Sequence, residues 1–256
     1  MSAIMNWFYK VLGIFFLCLL GCSSNDGGVS QGVDSGGVIG TGGSLARFTI
    51  VQNNLYAVDN TTLTTIDVSN PTQMILEDQQ DVGFGIETIF PFDNTLFIGS
   101  NTGAYIYGID GEGIPSELSF FEHAMACDPV VSDGDYAYVT IRSGRACDFL
   151  GDANILEIYD IASLENPVQI TQVAMNNPRG LSVDGDLLFV CDGNQGLVVF
   201  DVTDRTNPVV LSREMGFEAN DVIAQNNIAL VVSPDGIRQF DYTDPTSLTE
   251  LSNLSL

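Results

Sequence analysis

Apolar and polar residues alternate along this chain in a block of short strands that recurs five times. Each block holds an apolar strand, a turn of Asn, Asp or Gly, a second apolar strand, and a third strand that ends in Asp. We align the second strands at Leu55, Leu96, Tyr136, Leu187 and Ile228, and the closing aspartates at Asp67, Asp110, Asp160, Asp201 and Asp241. A repeat of about 40 residues made only of strands is typical of a β-propeller, in which each repeat forms one blade. The pattern predicts an all-β fold, a five-bladed β-propeller of four-stranded antiparallel blades in a single ring.

The fourth repeat shows the predicted blade most clearly. Its four strands are expected at residues 181–183, 187–191, 196–202 and 208–214. Asp184-Gly185-Asp186, between the first two strands, is the kind of sequence that tight hairpin turns favour. Because Asn, Asp or Gly occupies the same place in the other repeats, we interpret these residues as turn formers rather than calcium ligands. The closing aspartates are expected to cap the turns that follow the third strands.

Residues 1–44 do not follow the repeat. Residues 1–21 hold Lys10 and an apolar stretch too short for a membrane-spanning helix, which needs roughly 20 residues, so they are interpreted as a signal peptide. Leu19-Leu20-Gly21-Cys22 resembles a bacterial lipobox, which implies that Cys22 is lipidated; the alternative is an ordinary signal peptide with an incidental cysteine. Residues 22–44 are rich in Gly and Ser and are expected to form a flexible tether. The propeller is expected at residues 45–256.

The strand sequences also resemble a known repeat family. Residues 63–71, and residues 196–204 followed by Asn207-Pro208, are similar to LVIVD repeats, which are named for an apolar run that ends in Asp. The second repeat departs most, because Gly111-Glu112-Gly113-Ile114-Pro115 replaces the Asn-Pro turn. The resemblance implies a secreted or surface-bound propeller, frequently a lipoprotein, and it implies no particular activity.

The chain is strongly acidic, with 33 Asp and Glu against 8 Lys and Arg and a net charge of -25. Its only lysine is Lys10, inside the predicted signal peptide. Nucleic-acid phosphates would be repelled, so we expect no nucleic-acid partner. Anionic lipid would be repelled as well, so we expect membrane contact through the N-terminal lipid only. Solubility in a salty medium is the simplest interpretation of this charge.

The third repeat is lengthened by an extended link between its second and third strands, at residues 141–154. Cys147 lies in that link and Cys127 just before the first strand of the same repeat, so both are expected at one face of one blade. A disulfide between them is chemically reasonable in an exported protein; two free thiols are the alternative. Cys191 is left over, and we expect it to be a small buried side chain.

One residue of each repeat is expected at the start of the innermost strand, eight residues before the aligned second-strand position. In a propeller these positions surround the mouth of the central channel. The predicted ligand contacts are Arg47, Thr88, Asp128, Arg179 and Asn220, with Arg142 and Asp221 nearby, and with Glu87, His123, Arg145, Asp192 and Asn194 in the same region. Arg and Asp offer paired hydrogen bonds to a sugar, a carboxylate or a peptide. A water-filled channel would also carry polar residues at these positions without any binding function.

Candidate catalytic residues are scarce in the sequence. His123 is its only histidine, which leaves little for a metal site of several imidazoles or for a Ser-His mechanism. Gly-rich nucleotide loops and zinc motifs are absent from the sequence, so we expect no cofactor and no metal. A carboxylate pair such as Glu87 with Asp128 could in principle cleave glycosides.

The sequence therefore favours a binding module over an enzyme: a lipid-anchored cell-envelope propeller that binds a carbohydrate or peptide ligand at the channel mouth. The alternative is a glycoside hydrolase or related hydrolase that uses acidic channel residues. A third interpretation is a scaffold subunit held by its blade edges. Ser23 after Cys22 favours the bacterial outer membrane, on its periplasmic or its surface side.

Overall fold

A computed structural model describes residues 43–122, 129–142 and 154–256, and these residues form twenty β-strands and no helix. The strands make five sheets of four consecutive strands each.

Blade 1 contains β1 (Phe48–Val51), β2 (Asn54–Val58), β3 (Thr62–Asp67) and β4 (Ile75–Asp81). Blade 2 contains β5 (Ile86–Phe92), β6 (Thr95–Ser100), β7 (Gly103–Ile109) and β8 (Pro115–Glu122). Blade 3 contains β9 (Val130–Ser132), β10 (Tyr136–Arg142), β11 (Asn154–Asp160) and β12 (Val168–Ala174). Blade 4 contains β13 (Leu181–Asp184), β14 (Leu187–Cys191), β15 (Leu197–Asp201) and β16 (Val209–Glu214). Blade 5 contains β17 (Asp221–Gln225), β18 (Ile228–Ser233), β19 (Gly236–Asp241) and β20 (Thr249–Ser255).

Each blade is an antiparallel meander, because every strand pairs with its neighbour in sequence. The first strands of successive blades lie beside one another, β1 by β5, β5 by β9, β9 by β13 and β13 by β17. The fourth strands lie at the periphery, and β20 is exposed along its whole length. This arrangement is the predicted five-bladed β-propeller, with the first strands at the centre.

The hydrogen-bond register corrects the predicted alignment of the first two blades. In blades 3 to 5 the second strand begins, as predicted, at the residue that pairs with the closing aspartate of the third strand: Tyr136, Leu187 and Ile228. The residues at the same position in blades 1 and 2 are Asn54 and Thr95. Leu55 and Leu96 therefore lie one position too far along. The physical reason is that β2 and β6 begin with a polar residue, which an alignment on apolar residues passes over. In the same way Gly108, and not Asp110, is the counterpart of the closing aspartates.

All five aspartates cap turns, as predicted: Asp110, although it is out of register, accepts from the backbone N–H of Glu112 at 3.0 Å, and the other four accept at the expected positions. Each carboxylate accepts a hydrogen bond from the backbone N–H two residues further on: Asp67 from Ser69, Asp160 from Ala162, Asp201 from Thr203 and Asp241 from Thr243. Hydrogen bonds from those residues hold the pKa of Asp67, Asp201 and Asp241 below the usual value. The predicted hairpin turns are present too, since Asp93, Gly134, Gly185 and Asn226 all have positive φ.

Apolar cores close four of the junctions between blades. The third residue of each second strand faces the next blade, and in blades 1 to 4 this residue is a buried aromatic: Tyr56, Phe97, Tyr138 and Phe189. Each packs with apolar residues of the following blade. Burying a large side chain of this kind contributes roughly 1.5–3 kcal/mol, so these junctions account for much of the stability of the fold.

The junction between blades 5 and 1 has no such core among the described residues. Blade 5 carries Leu230 at the equivalent position, 41% exposed, and Val232 two residues on, 45% exposed. On the facing side of blade 1, Phe48 is 63% exposed and Ile50 is 40% exposed. The predicted ring of five blades therefore contains one open junction.

Several predicted features lie outside the described residues. They are the signal peptide, Cys22 and the tether up to residue 42, and in the third repeat His123, Cys127, Asp128, Arg145 and Cys147. The lipid anchor and the disulfide thus stay predictions. Within the described ranges, no helix has the length and apolar character needed to span a bilayer.

Candidate functional site

Antiparallel meanders place the links of each blade on two opposite faces. One face, here called the mouth face, carries the links into the first strands and those between second and third strands. The other, here called the turn face, carries the remaining two turns of each blade. All of the predicted ligand contacts that the structure describes belong to the mouth face.

The segment that leads into β1 crosses the centre of the mouth face. The hydroxyl of Ser44, which is buried, donates to Asp221 Oδ1 of blade 5 at 3.1 Å and accepts from the backbone N–H of Leu181 of blade 4 at 2.8 Å. Two residues on, the carbonyl of Ala46 accepts from the N–H of Ile89 in blade 2 at 2.8 Å. This segment therefore divides the predicted ring of ligand contacts into a first group on blades 4 and 5 and a second group on blades 1 to 3.

Asp221 holds that segment in place. Besides Ser44, its carboxylate accepts a hydrogen bond from the backbone N–H of Val222 at 3.0 Å. Burial raises the pKa of Asp221 to about 6, although the hydrogen bonds it accepts oppose the rise. Gly180 permits this packing, because a Cβ there would lie 2.0 Å from Asp221 Oδ1. Asp221 is thus bound into the structure and is less accessible than the sequence suggests.

Arg179 is the best-defined side chain of the first group. Its Nη2 lies 2.6 Å from Oε1 of Glu218, and its Nη1 donates to Oδ1 of Asn220. The side chain is only 10% exposed, and its Nε has no hydrogen-bond acceptor among the described residues. A buried donor left in this state costs about 1–3 kcal/mol. Nε itself is buried, so an added acceptor reaches it only where the surrounding side chains move apart.

The second group lies on blades 1 to 3. Burial raises the pKa of Glu87, and the positive charges of Arg47 and Arg142 oppose that rise, so the three side chains lie near one another. Arg47 is exposed, which leaves it accessible to a ligand. Thr88 is buried and has little surface for direct contact.

The corrected register changes two members of the predicted ring. Ala46 and Glu87, rather than Arg47 and Thr88, stand at the positions equivalent to Arg179 and Asn220. Sequence reasoning missed the place of Glu87 because it followed the shifted alignment of blade 2. The Asp93-Asn94 turn is the signal that could have located it, since a turn residue marks the start of β6 more reliably than the first leucine does. Asp128 lies outside the described residues.

Two further residues near the mouth have structural roles. Asp192 is fully buried and accepts hydrogen bonds from the backbone N–H groups of Asn176 and Asn177 and from Nη1 of Arg213, at 3.0, 2.7 and 3.0 Å. Cys191 is fully buried as predicted, and burial raises the pKa of its thiol well above the usual value. Within the described part of the chain, no cluster of His, Cys, Asp and Glu could hold a metal ion.

A cavity of about 360 Å³ opens on the turn face between blades 1 and 2, where the sequence predicted no site. Four carboxylates line it, those of Asp67, Glu77, Asp110 and Glu112. The hydroxyl of Tyr56, also in its wall, donates to the carbonyl of Gly113 at 2.8 Å.

The cavity exists because one position differs between blades. We call it the plug position; it follows the third strand in the turn that meets the preceding blade, and it holds Glu112, Leu164, Arg205 and Pro245 in blades 2 to 5. Leu164 packs into the apolar core between blades 2 and 3. Arg205 fills the next junction, with Nη2 3.1 Å from Asp133 Oδ2 and Nη1 2.7 Å from Asp186 Oδ1. Glu112 is exposed instead, so its junction stays unfilled.

Comparisons with known proteins agree with this architecture. The LVIVD repeat family matches residues 42–81 and 177–214, which contain blades 1 and 4. No curated protein sequence shows significant similarity to the chain.

Solved propeller structures share the fold at low sequence identity. A protein from Lactobacillus plantarum has a TM-score of 0.62 at 16% identity, over 81% of this chain and 74% of that one. The periplasmic gluconolactonase PpgL of Pseudomonas aeruginosa has a TM-score of 0.62 at 13% identity, over 80% and 68% of the two chains. AztD from Citrobacter koseri, in its apo form, has a TM-score of 0.55 at 13% identity, over 78% and 58%.

These likenesses concern the fold, and the matched part of this chain spans between 58% and 74% of those three proteins. The repeat match and the five four-stranded blades point to the same assignment. The chain contains sequences that match the LVIVD repeat, and its fold is a five-bladed β-propeller.

Proposed function

We propose that this protein is a lipid-anchored propeller of the bacterial outer membrane that binds a carbohydrate or peptide at its mouth face. The observation that carries the proposal is Arg179, a buried guanidinium fixed on two sides by Glu218 and Asn220 while its Nε lacks an acceptor. Sugar hydroxyls, carboxylates and peptide carbonyls are all acceptors for such a donor. Because the guanidinium is already oriented, a ligand loses little entropy in ordering it.

The distribution of positive charge supports the same face. The chain has few cationic side chains, yet Arg47 and Arg142 lie near Glu87 at the mouth, with Arg179 in the other group of that face. In a protein of net charge -25, this is where an acceptor-rich or anionic ligand meets favourable charge.

The anchor and location rest on the N-terminal sequence. The lipobox-like Leu19-Leu20-Gly21-Cys22 would place a lipid at Cys22, and the Gly/Ser-rich residues 23–42 would then separate the blades from the membrane. A strongly acidic domain held away from anionic headgroups in this way keeps its mouth face accessible to soluble or cell-wall ligands.

A hydrolase is the second candidate, and two observations favour it. Asp221 and Glu87 are mouth-face carboxyl groups whose pKa is raised by burial, which suits a proton donor near neutral pH. PpgL, a gluconolactonase by name, has the same fold. The binding module is preferred because Asp221 already accepts hydrogen bonds from Ser44 and Val222.

The experiment is a binding screen of the full chain, solubilised in detergent, against arrays of glycans and cell-envelope peptides. Arg179→Ala is expected to lower the affinity for any ligand found at least tenfold. Arg238→Ala is the matched control, because Arg238 lies on the third strand of blade 5, away from the centre, is similarly buried, and contacts Asp235 and Glu250. Equal loss in both variants, or none in either, would remove Arg179 from the site.

Two further variants separate the other interpretations. Glu77→Gln alters the turn-face cavity. If this variant loses binding, the ligand site lies on the turn face and not on the mouth face. Release of product from an array glycan that stops in Asp221→Asn would favour the hydrolase.

A further inference from the structure

The open junction between blades 5 and 1 presents two apolar sheet faces to solvent. On blade 5 the exposed face includes Leu230 and Val232 of β18, and on blade 1 it includes Phe48 and Ile50 of β1. Soluble proteins rarely leave contiguous apolar patches of this kind uncovered unless another surface packs there. Each face therefore has the character of an interface.

The same positions are buried in every other junction. The counterparts of Leu230 and Val232 in blade 4 are Phe189 and Cys191, and both are fully buried against blade 5. The counterpart of Phe48 in blade 4 is Leu181, which is fully buried against blade 3. The open junction thus displays the two halves of a blade–blade interface, each without its partner.

The centre of the ring is nevertheless connected across this opening. Ser44, in the segment before β1, binds Asp221 of blade 5 and Leu181 of blade 4. The gap is therefore a wedge that is bounded by a blade face on each side.

The lengths of the similar structures indicate how much is needed to fill the wedge. The five blades match about two-thirds of the gluconolactonase PpgL and three-quarters of the Lactobacillus plantarum protein. Both proteins therefore have room for about two more repeats, a total within the 4–8 blades typical of propellers.

We propose that the open junction is a docking surface for two further four-stranded blades, carried by a partner segment of the same LVIVD type. The face of the incoming blade that meets Leu230 and Val232 carries aliphatic residues at the positions of Leu181 and Leu188, as blade 4 does toward blade 3. The face that meets Phe48 and Ile50 carries an aromatic at the third position of its second strand, as Phe97 and Tyr138 do. A second copy of the chain fits less well, since a ring of ten blades exceeds the range in which propellers close.

The test supplies two blades of known sequence to the intact protein. The full chain is extended after Leu256 with a second copy of residues 177–256, which contain blades 4 and 5, and the copy carries Leu230→Phe so that an aromatic meets Phe48 and Ile50. Val232→Cys then reports on the junction, because its thiol is exposed when the junction is open and buried when a blade covers it. The readout is the rate of alkylation at position 232, resolved by peptide mass spectrometry, in the original and the extended chain.

The expected result is alkylation that is at least a hundredfold slower in the extended chain. A second variant guards against misfolding: Leu230→Asp should shift the melting temperature by only a few degrees in the original chain and by about 10 °C or more in the extended one, where it buries a charge. Equal alkylation rates in the two chains would overturn the proposal. So would protection of position 232 in the original chain together with a dimer at the same concentration, which would identify a second copy as the occupant.

Discussion

The hydroxyl of Ser44 donates a hydrogen bond to the carboxylate of Asp221, 177 residues further along the chain, at 3.1 Å. The same oxygen accepts from the backbone N–H of Leu181. One serine thus connects the segment before blade 1 to both blade 4 and blade 5, across the junction that lacks an apolar core. A polar contact at the centre of the ring replaces some of what the missing core would supply.

Ser44→Ala is expected to lower the free energy of unfolding by about 1–3 kcal/mol, because it leaves the buried N–H of Leu181 without its acceptor. Urea unfolding followed by circular dichroism measures the change. Ser252→Ala is the control: Ser252 lies on the exposed strand β20 and its hydroxyl donates to Oε1 of Gln239 on β19, so its effect should stay within about 0.5 kcal/mol. If the two variants unfold at the same urea concentration, Ser44 does not connect the blades as described.

Asp221→Asn should change how stability depends on pH. Since the pKa of Asp221 is about 6 in the folded protein and 3.8 ordinarily, the folded state binds this proton more tightly than the unfolded chain does. The stability due to Asp221 is therefore fully present below pH 4 and is lost as the pH rises through about 6. Relative to the parent, the Asn variant should gain on the order of 2 kcal/mol between pH 4 and pH 8.

Unfolding free energies of the two proteins at both pH values test this expectation. Asp67→Asn is the control: hydrogen bonds hold the pKa of Asp67 below its usual value of 3.8, so the stability due to its ionised form is lost only as the pH falls below about 4, and this variant should show little change between pH 4 and pH 8. A difference between parent and Asp221→Asn that is the same at both pH values would contradict the assignment.

Arg205→Met should destabilise the fold by about 2–3 kcal/mol, because it leaves the largely buried carboxylate of Asp133 without its cation. The methionine keeps most of the packing of the arginine stem, so the loss reports on the charge. Arg238→Met is the comparison, since Arg238 contacts the exposed carboxylates of Asp235 and Glu250 and should cost about 1 kcal/mol or less. Thermal melts of both variants at low and high salt check the ranking; Arg238→Met as costly as Arg205→Met would refute it.

Cys191 should resist alkylation in the folded protein. Its side chain is fully buried and burial raises the pKa of its thiol, so both access and thiolate are lacking. Maleimide labelling followed by peptide mass spectrometry should show position 191 unmodified until denaturant is added. Labelling of position 191 as fast under native conditions as in denaturant would show that the junction between blades 4 and 5 opens.

Most of the architecture follows from local sequence. Each turn is marked by Asn, Asp or Gly at positions of positive φ such as Asp93 and Gly185, and each strand by its own apolar run. These signals are local, so they predict the number of blades, their strand order and the burial of Cys191.

The site could be predicted only in part, because it depends on contacts between distant residues. The shift of one residue in blades 1 and 2 follows from polar strand starts at Asn54 and Thr95, and it moved Glu87 out of the predicted ring. Nothing near Ser44 in sequence indicates that it binds Asp221. The cavity beside Glu112 likewise depends on what the neighbouring junctions contain.

The plug position also dictates which repeat can follow which. Arg205 matches the acids Asp133 and Asp186 at its own junction, whereas Leu164 packs against the same apolar core as Phe92 and Leu118. If blade 4 were joined directly to blade 2, a guanidinium would enter an apolar site and Asp133 would lose its cation. The repeats are alike in backbone but not interchangeable, and a chain assembled with its blades shuffled would carry the same composition and strands without the matched junctions that specify their order.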